Sequence, residues 1–490
     1  MLAFPAMRRA LLPLLLAAAT LGLIALVSAQ VPFANGPAEW EWPFRPPSQL
    51  PLGLALAAAL MIPLVYWAAQ DRGSDWRWAL PLLVILGWAL PLDLAEGQPG
   101  GFRRTFDLLA SRHTFGYVFD AGLAPDTRTL LADWPTVSAG LNQHSRTHPP
   151  GPLLAVRALD LAGRRLPADP EGERGLITFA TESLQRESGR AANRGRRVPH
   201  SLASPGTLVL LSFLLPLLSA LAAWPLHRLA VRLGLSPGAA LLAAAFWLAV
   251  PARSVFTPSL DQALPLPLLG AAALAAAGGR VRMILAGALL ALCVFFSYGY
   301  LAAVPLVGLL ALTGGETGRF TWRPDRARIL RGLLLAAGFV LPSIVLALAT
   351  GYDPVASFQA AMAQHRSIAV ATRSYATWLA WNPWDLLLLL GPTVLGLAAV
   401  DLRQRQGDER PAAHTALAWG WWALLLLLLV SGSVRGEVGR IWLFLMPFAC
   451  LLAADAAGRR WGSRGAWTGV LLVAEVGLTL TLAANMVFVG

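Results

Sequence analysis

Asn142-Gln143-His144-Ser145-Arg146-Thr147-His148-Pro149-Pro150-Gly151-Pro152 is a dense polar knot in a chain that is otherwise mostly lipid-soluble. Two histidines and an arginine stand beside two stiff prolines. Proline fixes φ near about −65° and lacks an N–H, so Pro149-Pro150 opens a helix or crosses a loop. The apolar run after Gly151-Pro152 predicts a rigid corner that starts a helix lying against a membrane. That run, residues 149–163, is 15 residues long and carries Arg157 and Asp160. It is too short and too charged to cross a bilayer, which needs roughly 17–25 apolar residues, so an interfacial helix is expected.

Outward from the corner, composition sets the class. Of 490 residues, 56% are apolar and 13% charged, with a mean hydropathy of +0.57. An all-α polytopic membrane protein is expected, with spans at 10–29, 50–70, 78–94, 206–226, 237–251, 260–278, 282–297, 299–313, 330–350, 383–400, 415–431, 441–457 and 466–488. That makes about 13 transmembrane helices. The first run follows Arg8-Arg9 and ends in Val27-Ser28-Ala29, which resembles a signal-peptide cleavage site; a retained span is the preferred reading. A large polar region, 95–204, separates the third and fourth spans, and its Arg-rich part, 164–200, reads as loop. Cys293 and Cys450 sit in apolar runs, so no disulfide framework is implied.

Every one of the 39 basic residues is Arg, and the net charge is +12. Membrane orientation accounts for that excess, and no nucleic-acid partner is expected. With the N-terminus inside, short cytoplasmic segments hold 19 Arg, including Arg72, Arg77, Arg319 and Arg403. Short outer loops hold six: Arg45, Arg253, Arg366, Arg373, Arg435 and Arg440. This is the positive-inside bias. The same parity puts every chemically promising cluster outside: residues 93–151, Pro258 to Gln262, Tyr352-Asp353 with His365-Arg366, and Arg435-Gly436-Glu437-Val438-Gly439-Arg440. Ionisable groups at a membrane boundary are costly and tend to mark a substrate path.

The order of a span, an acidic outer loop, a His-Pro-Pro corner opening an interfacial helix, another span and a Pro258…Asp261 loop resembles the GT-C superfamily of membrane glycosyltransferases. That group contains protein mannosyltransferases and lipid A aminoarabinose transferases. Thr147-His148-Pro149-Pro150-Gly151-Pro152 is similar to the corner of many bacterial members, and 435–442 resembles a loop-to-span segment. The resemblance covers roughly 78–447. It implies additional N-terminal spans over 1–77, a catalytic transmembrane core over 78–350 with the loop 95–204, and C-terminal helices over 351–490 with outer loops 351–382 and 432–440. It implies a bacterial plasma-membrane enzyme whose outer face takes a sugar from a polyprenyl-phosphate donor to a lipid, glycan or protein acceptor. A loop carboxylate would act as general base, because the acceptor hydroxyl is too weakly acidic to attack unaided.

Asp93, Asp107, Asp120, Asp126 and Asp133 compete for that role. Asp120 lies 28 residues before His148, the spacing usual in the family, and is preferred. Asp93 fits a second pattern, a carboxylate just after a span, and Asp133 remains open. Asp107 reads better as a helical partner of Arg103 or Arg104. The chain lacks the Asp-Glu or Glu-Asp pair that many members show. His144, Arg146 and His148 are candidates to hold the donor phosphate or orient the base; Arg435 and Arg440 are candidates for the same phosphate, with Glu437 holding an arginine or a sugar hydroxyl. Snorkelling of Arg435 and Arg440 to the interface is the plain alternative. Asp261 binds substrate or caps a helix. No cofactor is expected: His144 and His148 have the i,i+4 spacing of zinc ligands, but Pro149 disfavours helix at His148, although a loosely held divalent ion stays open. Trp40, Trp42, Trp378, Trp381 and Trp384 read mostly as an interfacial belt. The competing class is a transporter or lipid flippase, which would carry ionisable groups mid-span and related halves.

Overall fold

The computed structural model describes residues 3–45, 52–71, 76–98, 100–170, 173–196, 198, 203–314, 325–403, 411–462 and 465–488. The protein is all-α; among the described residues the sole β feature is the bridge Phe44–Met486. Among the described residues, seven helices are long and apolar enough to cross a membrane: Ala10–Ser28, Arg77–Glu96, Pro205–Arg232, Leu260–Ala277, Arg326–Thr350, Ala412–Ser431 and Ala466–Asn485. This is a multi-pass membrane protein. Shorter apolar helices, Ala58–Ala69, Pro237–Ala249 and Tyr298–Thr313, fill the gaps between them. Several of the arginines that set the expected orientation, Arg72, Arg319 and Arg410 among them, lie outside the described residues.

Alanine and glycine decide how closely these helices pack. Pro237–Ala249 is buried from Gly238 onward and runs through the centre of the bundle against Met446–Trp461, itself buried from Met446 to Ala457. Without a solvent-driven force between helices in lipid, small side chains earn stability by letting backbones approach. Gly287 and Gly338 take this furthest. A Cβ on Gly338 would lie 2.1 Å from the Ile284 carbonyl oxygen, and one on Gly287 would lie 2.2 Å from that of Leu335. The apolar window of Arg326–Thr350 is only 11% buried, so its packing on Arg280–Phe296 is its main anchor.

One expected span is bent. Residues 383–400 divide into Tyr375–Leu390 and Pro392–Arg403, which meet at 105°. Gly391 has φ +87°, a conformation that only glycine adopts cheaply, and Pro392 has no N–H to continue the ladder. The apolar count across the break hid this corner.

The polar region forms a helical subdomain on the bundle, and here 164–200 departs from expectation. Leu176–Asn193 is a helix with Ala180, Leu184, Glu187 and Ala191 buried at helical spacing. Asp169 starts it by accepting the backbone N–H of Gly175, Ile177 and Thr178 at 3.2, 3.3 and 2.6 Å. Asp107 pairs across space with Arg186 of this helix, at 2.6 Å, rather than with Arg103 or Arg104 as expected. Phe106, Val118, Val156, Leu184 and Leu211 form the subdomain core.

The corner itself has the expected form. Helix Gly151–Gly163 starts directly after Pro150. Gly151 presses on the end of Arg280–Phe296, where a Cβ would lie 2.2 Å from the Phe295 carbonyl oxygen. At the far end, Asp160 accepts from Ser204 N at 2.6 Å and Thr207 Oγ1 at 2.9 Å, which ties the helix to the next span.

Candidate functional site

Asp120 is fully buried in the short helix Tyr117–Leu123. Its Oδ2 accepts from Asn142 N at 3.0 Å, from Ser145 Oγ at 2.7 Å and from the Asn142 side-chain amide. Asn142 in turn caps Gln143–Thr147 by accepting from His144 N at 2.9 Å. Burial pushes the Asp120 carboxyl up, against the pull of these donors and of Arg112. Asp120 therefore holds the corner in place from beneath; it is 0% exposed, and its Oδ1 is buried without a hydrogen-bond partner among the described residues.

Both corner histidines are engaged through one ring nitrogen. His144 Nε2 is 2.6 Å from the His113 carbonyl oxygen, and His148 Nδ1 is 2.9 Å from that of His144. A carbonyl only accepts, so these nitrogens carry the protons, leaving His144 Nδ1 and His148 Nε2 as lone pairs. The Tyr117 ring packs on both imidazoles, with centroids 6.1 and 6.0 Å away. Burial first, then the Arg440 charge, lowers His144 to about 4; burial also lowers His148 to about 4. Both are neutral near pH 7. As neutral rings they bring no positive charge of their own to the corner.

The charge comes from the late loop. Glu437 adopts φ +59°, rare for a residue with a side chain, and this turn starts the short helix Val438–Ile441. It places Glu437 between two arginines, with Arg440 Nη2 at 2.8 Å and Arg373 Nη2 at 3.2 Å. Arg440 Nε is 3.8 Å from Asp261 Oδ2. Arg440 acts electrostatically on Tyr117, His144 and His148, and Asp261 is within reach of His144. Three separated segments thus meet: the corner, the Ser259–Gln262 turn and the 437–440 turn. Asp261 has the more open carboxylate. Its side chain is 26% exposed, and Oδ2 takes Ser259 Oγ at 3.2 Å.

Other expected site residues fall elsewhere. Arg435 is spent on backbone: it donates to Gly432 O at 3.2 Å and Val370 O at 2.7 Å, and so braces the loop rather than facing a ligand. Arg146 donates to Leu141 O at 2.7 Å. Asp93, half-buried, and Asp133, exposed, make no hydrogen bond or ion pair with the cluster among the described residues. Trp40, Trp42, Trp378, Trp381 and Trp384 share a crevice with Asp385, which accepts from Trp42 Nε1 at 2.9 Å and Val438 N at 3.0 Å. The crevice holds about 10 Å³, near the room one water needs. These tryptophans lock residues 32–44 onto the Tyr375–Leu390 helix.

Sequence reading missed one further group. Asp401, His414 and Asp455, all buried, bring ligand atoms within 4.8 Å of one another, an arrangement able to hold a metal ion. Arg459 Nε reaches both Asp455 oxygens at 3.0 Å and already neutralises that carboxylate. Three different helices supply the residues, so no local spacing announced them.

Compared with known proteins, the chain matches no protein-family model and no curated protein sequence.

Proposed function

We propose that the protein is an integral membrane glycosyltransferase that moves a sugar from a polyprenyl-phosphate donor to an extracytoplasmic acceptor. Its architecture on this reading is a GT-C-like bundle of about 13 transmembrane helices in a bacterial plasma membrane. The supporting observation is the meeting of Asp261, Arg440, Glu437, Tyr117, His144 and His148 from three segments that the positive-inside rule assigns to one outer face.

Arg440 would neutralise the phosphate oxygen as the bond from the anomeric carbon to that oxygen breaks. The acceptor oxygen bonds to the anomeric carbon and passes its proton to a carboxylate. Access supports Asp261 for this step over Asp120: Asp261 is partly open, whereas Asp120 is sealed beneath the corner. Glu437, fixed between two arginines, holds Arg440 in position. Lone pairs on neutral His144 and His148 would accept hydrogen bonds from sugar hydroxyls.

The test is donor turnover by purified protein in nanodiscs with a panel of polyprenyl-phosphate sugars, comparing wild type with Arg440→Gln. Turnover that falls on removing the charge supports the transferase. One observation favours a transporter or flippase instead. Glu475 sits mid-way along Ala466–Asn485, fully buried, with both carboxylate oxygens unpartnered among the described residues, and it abuts Gly391 at the bend. If no donor is bound or turned over, liposome transport assays with Glu475→Gln decide that alternative.

A further inference from the structure

A second polar site shares no side chain with the cluster. A cavity of about 50 Å³ opens where Trp76–Glu96 and Ala466–Asn485 end, walled also by Gly101–Ala110 and Ser254 to Thr257. Its polar wall is Arg45, Gln98, Arg104, Thr105, Ser254 and Thr257, with no carboxylate among the described residues. The volume suits several waters or one tetrahedral oxyanion, not a sugar.

The chain builds this wall deliberately at Arg45. Arg45 N donates to Asn485 O at 2.8 Å, Val487 N donates to Pro43 O at 2.9 Å, and Phe44 bridges to Met486. The N-terminal connection and the C-terminal tail are thereby stapled together, and Arg45 is turned inward. It is 8% exposed, and its Nε and Nη1 are buried without a hydrogen-bond partner among the described residues. Arg104 faces the same cavity and makes no ion pair among the described residues. Burial, and then the Arg104 charge, lower Arg45 to about 10, so the guanidinium is still charged at neutral pH. A buried guanidinium with unused donors, beside a second, partly buried one, is costly unless an anion sits between them. Gln98 donates to Ala483 O at 3.0 Å, leaving Oε1 as an acceptor for a protonated phosphate oxygen or a bridging water.

We infer that this cavity binds a phosphate-class oxyanion at the level where two spans end, held by Arg45 and Arg104. The group belongs either to a phospholipid head or to free phosphate; both present tetrahedral oxygens to paired guanidinium forks. The site does not depend on glycosyl transfer.

The test uses full-length protein in delipidated maltoside micelles, which carry no phosphate, alone and with added phosphatidylglycerol, titrated with inorganic phosphate and followed by thermal midpoint. Wild type is compared with Arg45→Gln, Arg104→Gln and Arg128→Gln, the last removing an exposed charge elsewhere. In lipid-free micelles phosphate raises the wild-type midpoint, with an apparent affinity about tenfold weaker in Arg45→Gln and Arg104→Gln and unchanged in Arg128→Gln. If phosphatidylglycerol raises the midpoint of wild type but not of Arg104→Gln, the lipid head group is the occupant. If only phosphate does so, the free ion is. Arg104 is only partly buried, so its variant keeps the test valid if Arg45→Gln fails to fold. Equal responses in wild type and Arg104→Gln, or no response of wild type to either probe, overturn the inference.

Discussion

The Ser145 hydroxyl donates to the Asp120 carboxylate at 2.7 Å, and this bond fastens the His-Pro-Pro corner to the helix that precedes it. Asp120→Ala would leave Ser145 and Asn142 buried with unmet donors. A loss of about 2–4 kcal/mol is expected, read as a lower denaturation midpoint. Ser145→Ala, which removes one donor of three, should cost about 1 kcal/mol. A midpoint unchanged in Asp120→Ala would exclude this bracing role.

His144 and His148 make stability pH-dependent. Both are lowered to about 4, against an ordinary value of 6.5. The unfolded chain therefore binds more protons than the folded one between those values, and stability falls as pH drops from about 6.5 toward 4. The slope is about 1.4 kcal/mol per pH unit for each histidine, and it vanishes above about pH 7. Denaturation across this range should show the slope in wild type and lose much of it in His144→Gln/His148→Gln. A double variant with the wild-type slope would mean other groups carry it.

Gly151 sets how tightly the corner meets the Arg280–Phe296 helix. Alanine there would place Cβ 2.2 Å from the Phe295 carbonyl oxygen, and backbone cannot move aside cheaply. About 1–3 kcal/mol of destabilisation is expected. Gly338→Ala, against the Ile284 carbonyl, should cost a similar amount in a different part of the bundle. Thermal midpoints of the two variants measured separately and together should be additive, since the sites share no contact.

Arg440 is the cation of the cluster, with Glu437 at 2.8 Å and Asp261 at 3.8 Å. Arg440→Gln should lower kcat about 100-fold while the fold holds, whereas Arg435→Gln, which loses only contacts to backbone carbonyls and the Tyr375 ring, should act on stability first. Equal kcat losses in both would remove the distinction drawn between them.

Much of this was legible from local pattern. The apolar runs announced the seven helices that, among the described residues, are long and apolar enough to cross a membrane, though not the full count of about 13, and the prolines announced the corner, because both depend on neighbours in sequence. The break between the runs 282–297 and 299–313 has a counterpart in the structure, where Arg280–Phe296 ends and a 3₁₀ turn begins at Tyr298. Leu176–Asn193 was missed: its arginines made the stretch read as loop and hid Ala180, Leu184, Glu187 and Ala191, buried at helical spacing. What depended on distant partners was not legible either. Nothing near Asp120 indicated that Asn142 and Ser145 would seal it. Nothing near Asp107 pointed to Arg186, 79 residues away. Arg435 and Arg440 look alike in sequence, yet one is tied to carbonyls and the other meets two carboxylates.

The most direct measurement is single-turnover release of sugar from a polyprenyl-phosphate donor by Asp261→Asn and Asp120→Asn, each checked for folding and donor binding. Asp261→Asn should bind donor and lose about 100-fold or more in turnover, while the folded fraction of Asp120→Asn should turn over near the wild-type rate. Wild-type turnover in Asp261→Asn, or turnover abolished in folded Asp120→Asn, would contradict the assignment of the open carboxylate as the base.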